Sequence, residues 1–125
     1  MNHVNALSKH IVQQGGPIIQ DESDIAVSKY RGYQIKVGNC ADTGAGSLPF
    51  RTIIHAVGPI WEQGGPEKIA QLKSAVNNSI ELGGVMGIRS MAIPAISSGV
   101  CGTPKDICAQ SLIEEVLAYA EKKAA

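Results

Sequence analysis

The apolar positions of this chain change period as it is read from the N-terminus. In "VNALSKHIVQQ", Val4, Leu7, Ile11 and Val12 recur at helical spacing and fall on one face. Asn2 or Asn5 is placed to cap that helix. Gly15-Gly16-Pro17 stops it. "PIIQDESDIAVSKY" predicts a second helix, with Pro17 in its first turn, acidic residues early and Lys29 late, and Gly32 at its end. Tyr33, Ile35 and Val37 alternate as in a strand. Ile53, Ile54, Ala56 and Val57 around His55 form a near-continuous apolar run, the pattern of a strand covered on both faces. Helical spacing returns from Pro66 to Leu82, through Ile69, Leu72, Val76 and Ile80, and Gly83-Gly84 is expected to end it. "SMAIPAI" predicts another buried strand. "TPKDICAQSLIEEVLAYAEKKAA" predicts a closing helix with Thr103 as N-cap, Pro104 and Asp106 in the first turn, and Lys122 and Lys123 at its end. Helices alternating with buried strands predict an α/β class with a mainly parallel sheet.

Composition narrows the chemistry. A length of 125 residues fits one domain, residues 1–125, able to bury a core. Eleven basic and eleven acidic residues cancel, which argues against a nucleic-acid grip built on net positive charge. A small anion held by backbone N–H groups needs no such charge. The three cysteines form no disulfide framework, so a reducing compartment, nucleus or cytoplasm, is expected. No metal-ligand spacing is present, and "MNHVNALSKH" has no long apolar run, so neither a zinc site, a signal peptide nor a membrane span is expected.

The candidate site is "IPAISSGVCG", Ile93 to Gly102, which leaves a predicted strand and enters a predicted helix. Ligands in open α/β sheets bind there, beyond the carboxyl ends of strands. Gly99 and Gly102 let backbone approach a ligand, Ser97 and Ser98 carry hydroxyls, and the helix start presents free N–H groups. The set suits a phosphate or diphosphate. The same residues also make a plain strand-to-helix turn. Other phosphate motifs fail: "GGPEK" is too short for a P-loop, and "GAG" at Gly44–Gly46 lacks a third glycine. His55, amid apolar neighbours, reads as a core histidine, Cys108 and Trp61 as packing residues, and Cys101 lacks the base that a nucleophile needs.

"TIIHAVGPIW", a helix, and then "SMAIPAISSGVCGTP" resemble the macro domain, and "QQGGPIIQDESD" resembles that family's early helix–glycine–helix region. The nearest likeness is to macro domains of multidomain ADP-ribosyltransferases. The resemblance implies a three-layer α/β/α sandwich with a mixed, mostly parallel sheet. It implies binding of ADP-ribose, free or as mono- or poly-ADP-ribosylated protein, without a cofactor. Carried over by motif, the ligand-binding positions are Ala95, Ile96, Ser97, Ser98, Gly99, Val100, Cys101 and Gly102, with Asn5 and Leu7 from the first helix. Cys101 stands where the family usually has an aromatic wall for the distal ribose. The family's N-terminal strands, its asparagine-bearing loop and its last strand have no counterpart. Hydrolytic members use those asparagines, so binding ranks above ADP-ribosyl hydrolysis, and a degenerate, non-binding interaction fragment is the third reading. The resemblance moves the strand near Gly38 from Tyr33–Val37 to Asn39–Thr43. It also predicts open sheet edges that invite association between chains.

Overall fold

Gly15 and Gly16 separate the first two helices for a steric reason. In the computed structural model, which describes residues 6–29, 34–99 and 101–124, α1 (Ala6–Gly15) ends on a Gly16 with φ 102°. Glycine reaches that left-handed value without strain. α2 (Ile18–Ser28) follows and packs on α1. It buries Ile19, Ser23 and Val27, one position per turn. The expected caps Asn2 and Asn5, the expected stop Gly32, and Tyr33 lie outside the described residues.

The backbone divides into two compact units, Met1–Lys36 with Ala41–His55, and Val37–Cys40 with Ala56–Ala125. In the first, the loop after β1 (Cys40–Thr43) returns to the helices. The Ser47 N–H donates to the Gly15 carbonyl at 2.8 Å, and the Gly44 N–H donates to Glu22 Oε2 at 2.9 Å. A Cβ on Gly46 would overlap the Gly15 carbonyl, so this approach requires glycine.

β1 pairs with β2 (Ile53–Ala56) in a two-stranded sheet. Thr43, at the end of β1, meets Thr52 and His55, while Gly38 and Asn39, ahead of β1, meet Val57, so the strands are antiparallel. The Gly38 N–H donates to Val57 O at 2.7 Å and the Val57 N–H donates to Asn39 O at 2.9 Å. Two residues thus face one, a β-bulge that starts on a glycine with φ 94°. Ser74 Oγ and Asn78 Nδ2 both donate to the Gly38 carbonyl, at 3.1 and 2.8 Å. The strand therefore lies at the position given by the family resemblance, not where Tyr33, Ile35 and Val37 alternate. Asp42, a poor strand residue, is tolerated because its side chain is exposed.

The expected strand over "SMAIPAI" is not formed. From Arg89 to Pro94 no backbone group is hydrogen-bonded among the described residues. The apolar pattern is there, but a strand exists only against a partner, and none stands beside this segment among the described residues.

In the second unit α3 (Pro66–Val85) buries Leu72, Ala75, Val76, Ser79 and Gly83. It runs through Gly83-Gly84, the predicted stop. Gly84 is instead a contact point, where a Cβ would overlap the Tyr119 hydroxyl. The stop is Gly87, φ 74°, with Gly87 N–H donating to Gly84 O and Ile88 N–H to Gly83 O, the paired bonds of a Schellman motif. α4 (Lys105–Ala124) packs on α3. Thr103 does not cap it: its hydroxyl is buried with no partner among the described residues, and its N–H donates to Ser97 O.

Lys73 pairs with Glu114 and Lys122 with Glu81 across the α3–α4 seam. Hydrogen bonds from Lys73 and then Gln110 hold the Glu114 carboxyl below its usual 4.5. A depressed folded value means the stabilisation is present above about pH 4.5 and is lost as pH falls through the folded value. Thermal melts between pH 5 and pH 3 should therefore show a smaller acid loss of Tm in Glu114→Gln than in the parent. The pair is exposed, so the difference should be small and should shrink in high salt.

Candidate diphosphate loop

The loop predicted from "IPAISSGVCG" is held from three sides within the second unit. Its floor is Gly58, just past β2, where a Cβ would overlap Ser97 Oγ and the Ile96 side chain. A side chain there would lift the loop. The Trp61 N–H donates to the Cys101 carbonyl at 2.8 Å. From α4, Cys108 Sγ lies 3.1 Å from the Ile96 carbonyl, placed to donate. Burial and then Asp106 push the Cys108 thiol above its ordinary pKa, which keeps it protonated for that role.

Inside these braces the chain turns tightly. Ser97 takes φ 66°, a left-handed value uncommon for a residue with a side chain. Both the N–H and the hydroxyl of Ser98 donate to Ala95 O, at 3.2 and 2.8 Å. The Gly102 N–H reaches Gly99 O at 3.0 Å and the Thr103 N–H reaches Ser97 O at 2.8 Å, closing the loop on itself. Among the described residues, the N–H groups of Gly99 and Cys101 donate to nothing. Apart from their own chain neighbours, no described residue comes within 4 Å of where a Cβ would stand on Gly99 or Gly102. The result is a braced, side-chain-poor loop with free donors just ahead of a 20-residue helix, the arrangement that accepts an anion.

The hydroxyls differ from expectation. Ser98 spends its hydrogen on Ala95 O, and Ser97 Oγ is buried against Gly58. The donors on offer are backbone amides. Of the expected ligand positions, Ala95, Ile96, Ser97, Ser98, Gly99, Cys101 and Gly102 come together as one loop in the second unit. Leu7 sits on α1 in the first unit, half exposed, and Asn5 and Val100 lie outside the described residues. Sequence reasoning missed Gly58, Cys108 and the Trp61 backbone as the braces. The glycine in "HAVGP" was the available signal.

His55 is half-buried and meets Thr43. Thr43 Oγ1 lies 2.9 Å from Gly44 O and 2.8 Å from His55 Nε2. A carbonyl can only accept, and a hydroxyl has one hydrogen, so His55 Nε2–H donates to Thr43. Among the described residues no group of three His, Cys, Asp or Glu is placed to hold a metal ion, and no helix is long and apolar enough to cross a membrane.

The macro domain profile matches residues 1–112. An uncharacterized protein of Sulfolobus acidocaldarius is 39% identical over 122 residues, covering 98% of this chain and 65% of that protein. Protein mono-ADP-ribosyltransferase PARP9 of Mus musculus is 37% identical over 124 residues, 97% of this chain and 14% of its own length. O-acetyl-ADP-ribose deacetylase 2 of Pantoea vagans is 41% identical over 95 residues, 76% of this chain and 54% of that protein. A mutant of the Oceanobacillus iheyensis macrodomain solved with ADPR superposes with a TM-score of 0.86 at 28% identity, covering 91% of this chain and 62% of that one. The chain thus spans just under two thirds of the archaeal relative and of the solved macrodomain. Its α/β fold is that of the macrodomains, and the chain belongs to the macro domain family.

Proposed function

We propose that this chain binds ADP-ribose, free or attached to protein, by seating the diphosphate on the backbone amides between Ser97 and Gly102. The observation that carries the reading is the pair of N–H groups at Gly99 and Cys101 that donate to nothing among the described residues, on a loop braced by Gly58, Trp61 and Cys108. Hydrogen bonds from such amides to a charged oxygen contribute about 1.5–3 kcal/mol each. Pre-ordering of the loop removes much of the entropy cost of forming them. The solved relative with ADPR supports the ligand. Cys101, half-buried and short, replaces the aromatic wall expected beside the distal ribose, so the affinity is weakened. The partners on this reading are ADP-ribose and mono- or poly-ADP-ribosylated proteins inside the cell.

Calorimetry with ADP-ribose, ADP and AMP tests the proposal. ADP-ribose and ADP should both bind, and AMP, which lacks the diphosphate, should bind at least about tenfold more weakly, since it forfeits one or more amide bonds. Absence of heat with millimolar ADP-ribose would leave the degenerate, non-binding reading. The relative named for removing acetyl from O-acetyl-ADP-ribose favours a second reading, that this chain is a hydrolase acting on an ADP-ribose derivative, of which an ADP-ribosyl hydrolase is one form. It ranks below binding because the loop supplies amides, a cysteine and glycines, and no carboxylate of its own. Release of ADP-ribose from a mono-ADP-ribosylated protein, lost in Gly99→Glu, would reverse that order.

A further inference from the structure

Ser97 is held in a conformation that its side chain disfavours. Its φ of 66° is a left-handed value that few residues other than glycine adopt. The closure of the loop depends on that turn. The Ser97 carbonyl receives the Thr103 N–H at 2.8 Å, and Ser98, the next residue, turns its N–H and hydroxyl back to Ala95 O. The φ of Ser97 measures how the Ile96–Ser97 peptide plane stands against the Ser97 Cα. Whatever fixes that plane therefore fixes the turn.

The oxygen of that plane, Ile96 O, accepts the Cys108 thiol at 3.1 Å. A thiol carries one hydrogen, and the other acceptor in reach, Thr103 O, is farther away at 3.9 Å. Cys108 itself is anchored. It is buried in α4, and its N–H donates to Pro104 O at 3.0 Å. Its raised pKa keeps the hydrogen on sulfur. An anchored donor thus grips the peptide whose rotation would let Ser97 relax to a negative φ. Gly58 acts differently: it leaves room for the Ser97 side chain, whereas the thiol acts by direction, since a hydrogen bond weakens as it bends.

We infer that Cys108 is a positioning residue, whose thiol, through the Ile96 carbonyl, keeps Ser97 left-handed and so presents the Gly99 and Cys101 amides. Its effect on affinity rests on the ADP-ribose reading above. Its effect on the turn does not.

Three variants separate donation from packing. Cys108→Ser keeps a donor, Cys108→Val fills space without one, and Ser97→Gly removes the strain that the donor opposes. Nuclear magnetic resonance of the ligand-free 125-residue chain reads the turn, because at positive φ an amide proton lies close to its own Hα and gives a strong nuclear Overhauser peak. That peak should be strong for Ser97 in the parent and in Cys108→Ser, and weak in Cys108→Val. Cys108→Ala, smaller and also without a donor, should match Cys108→Val, and a thermal melt verifies that each variant is folded. Calorimetry reads the consequence. Cys108→Val should raise the ADP-ribose dissociation constant at least about tenfold, and Cys108→Ser less than about threefold. In the Ser97→Gly background Cys108→Val should change it by less than about threefold, because glycine takes the left-handed value without the thiol. A weak Ser97 peak in the parent, or a strong one in Cys108→Val, overturns the inference. So does an equal loss of affinity in Cys108→Ser and Cys108→Val, or a loss in Cys108→Val that Ser97→Gly does not reduce. A parent whose strong peak is lost in Cys108→Val, but which binds no ADP-ribose, would refute the ligand reading and support the role of Cys108 at the turn.

Discussion

Replacing Gly99 with glutamate abolishes measurable ADP-ribose binding and leaves Tm within about 3 °C of the parent, the range of a surface substitution. The two halves of this expectation come from one observation. Gly99 is exposed, its φ is not in the left-handed region, and apart from its chain neighbours no described residue comes within 4 Å of where its Cβ would stand. A side chain is therefore accommodated without moving the loop. A carboxylate at that point stands where the diphosphate must approach, and like charges at close range repel strongly once water is displaced. The dissociation constant should rise at least about 100-fold, which corresponds to about 2.7 kcal/mol. Gly99→Ala is the control: it adds bulk without charge and should stay within a few-fold of the parent. Calorimetry and a thermal melt on the same preparations check both halves. Retained affinity in Gly99→Glu would show that the ligand does not use this loop.

Gly58→Ala should do the opposite, damaging stability and binding together. The added Cβ would overlap Ser97 Oγ and the Ile96 side chain, and both sit in a turn that has little freedom to yield. Overpacking of this kind costs about 1–3 kcal/mol. In a chain of this size that lowers Tm by several degrees. Because Ser97 carries the turn, its displacement also moves the Gly99 and Cys101 amides, and ADP-ribose affinity should fall at least about tenfold, a loss on the scale of one hydrogen bond to a charged group. Ser97→Ala in the same chain removes the overlapping oxygen and should recover part of the Tm, although the Ile96 contact remains. The non-additivity of the pair, read as a double-mutant cycle, isolates the contact. Additive losses would mean that Gly58 and Ser97 act independently and that the brace is elsewhere.

Much of the candidate loop's geometry was legible because it is local. A glycine-rich loop between an apolar run and a helix start needs only a few adjacent residues to be recognised, and Ser97 to Gly102 are contiguous. The braces were not legible, because Gly58 and Cys108 reach the loop from distant positions in the chain. The role of Ser98 was also hidden. Its hydroxyl looked available for a ligand and is instead committed to Ala95 O.

The helices were set by the sequence itself. Periodicity placed α1 and α3, and end signals (a proline and acidic residues early, lysines late) placed α2 and α4, since a helix satisfies its own hydrogen bonds and needs no distant partner strand. Their ends were less secure. Gly83-Gly84 looked like a stop, yet α3 continues to Val85 because Gly84 serves an approach to Tyr119, and Gly87 is the residue in the left-handed conformation. Strands are different in kind. Apolar alternation at Tyr33–Val37 and the apolar run at Ser90–Ile96 both predicted strands, and neither is one in the described residues. The ladder formed instead at Cys40–Thr43, where the Gly38 bulge and the clamp from Ser74 and Asn78 align it with β2. A strand's hydrogen bonds lie on another segment, so sequence alone determines which stretches are able to pair, and only the tertiary structure decides which of them do.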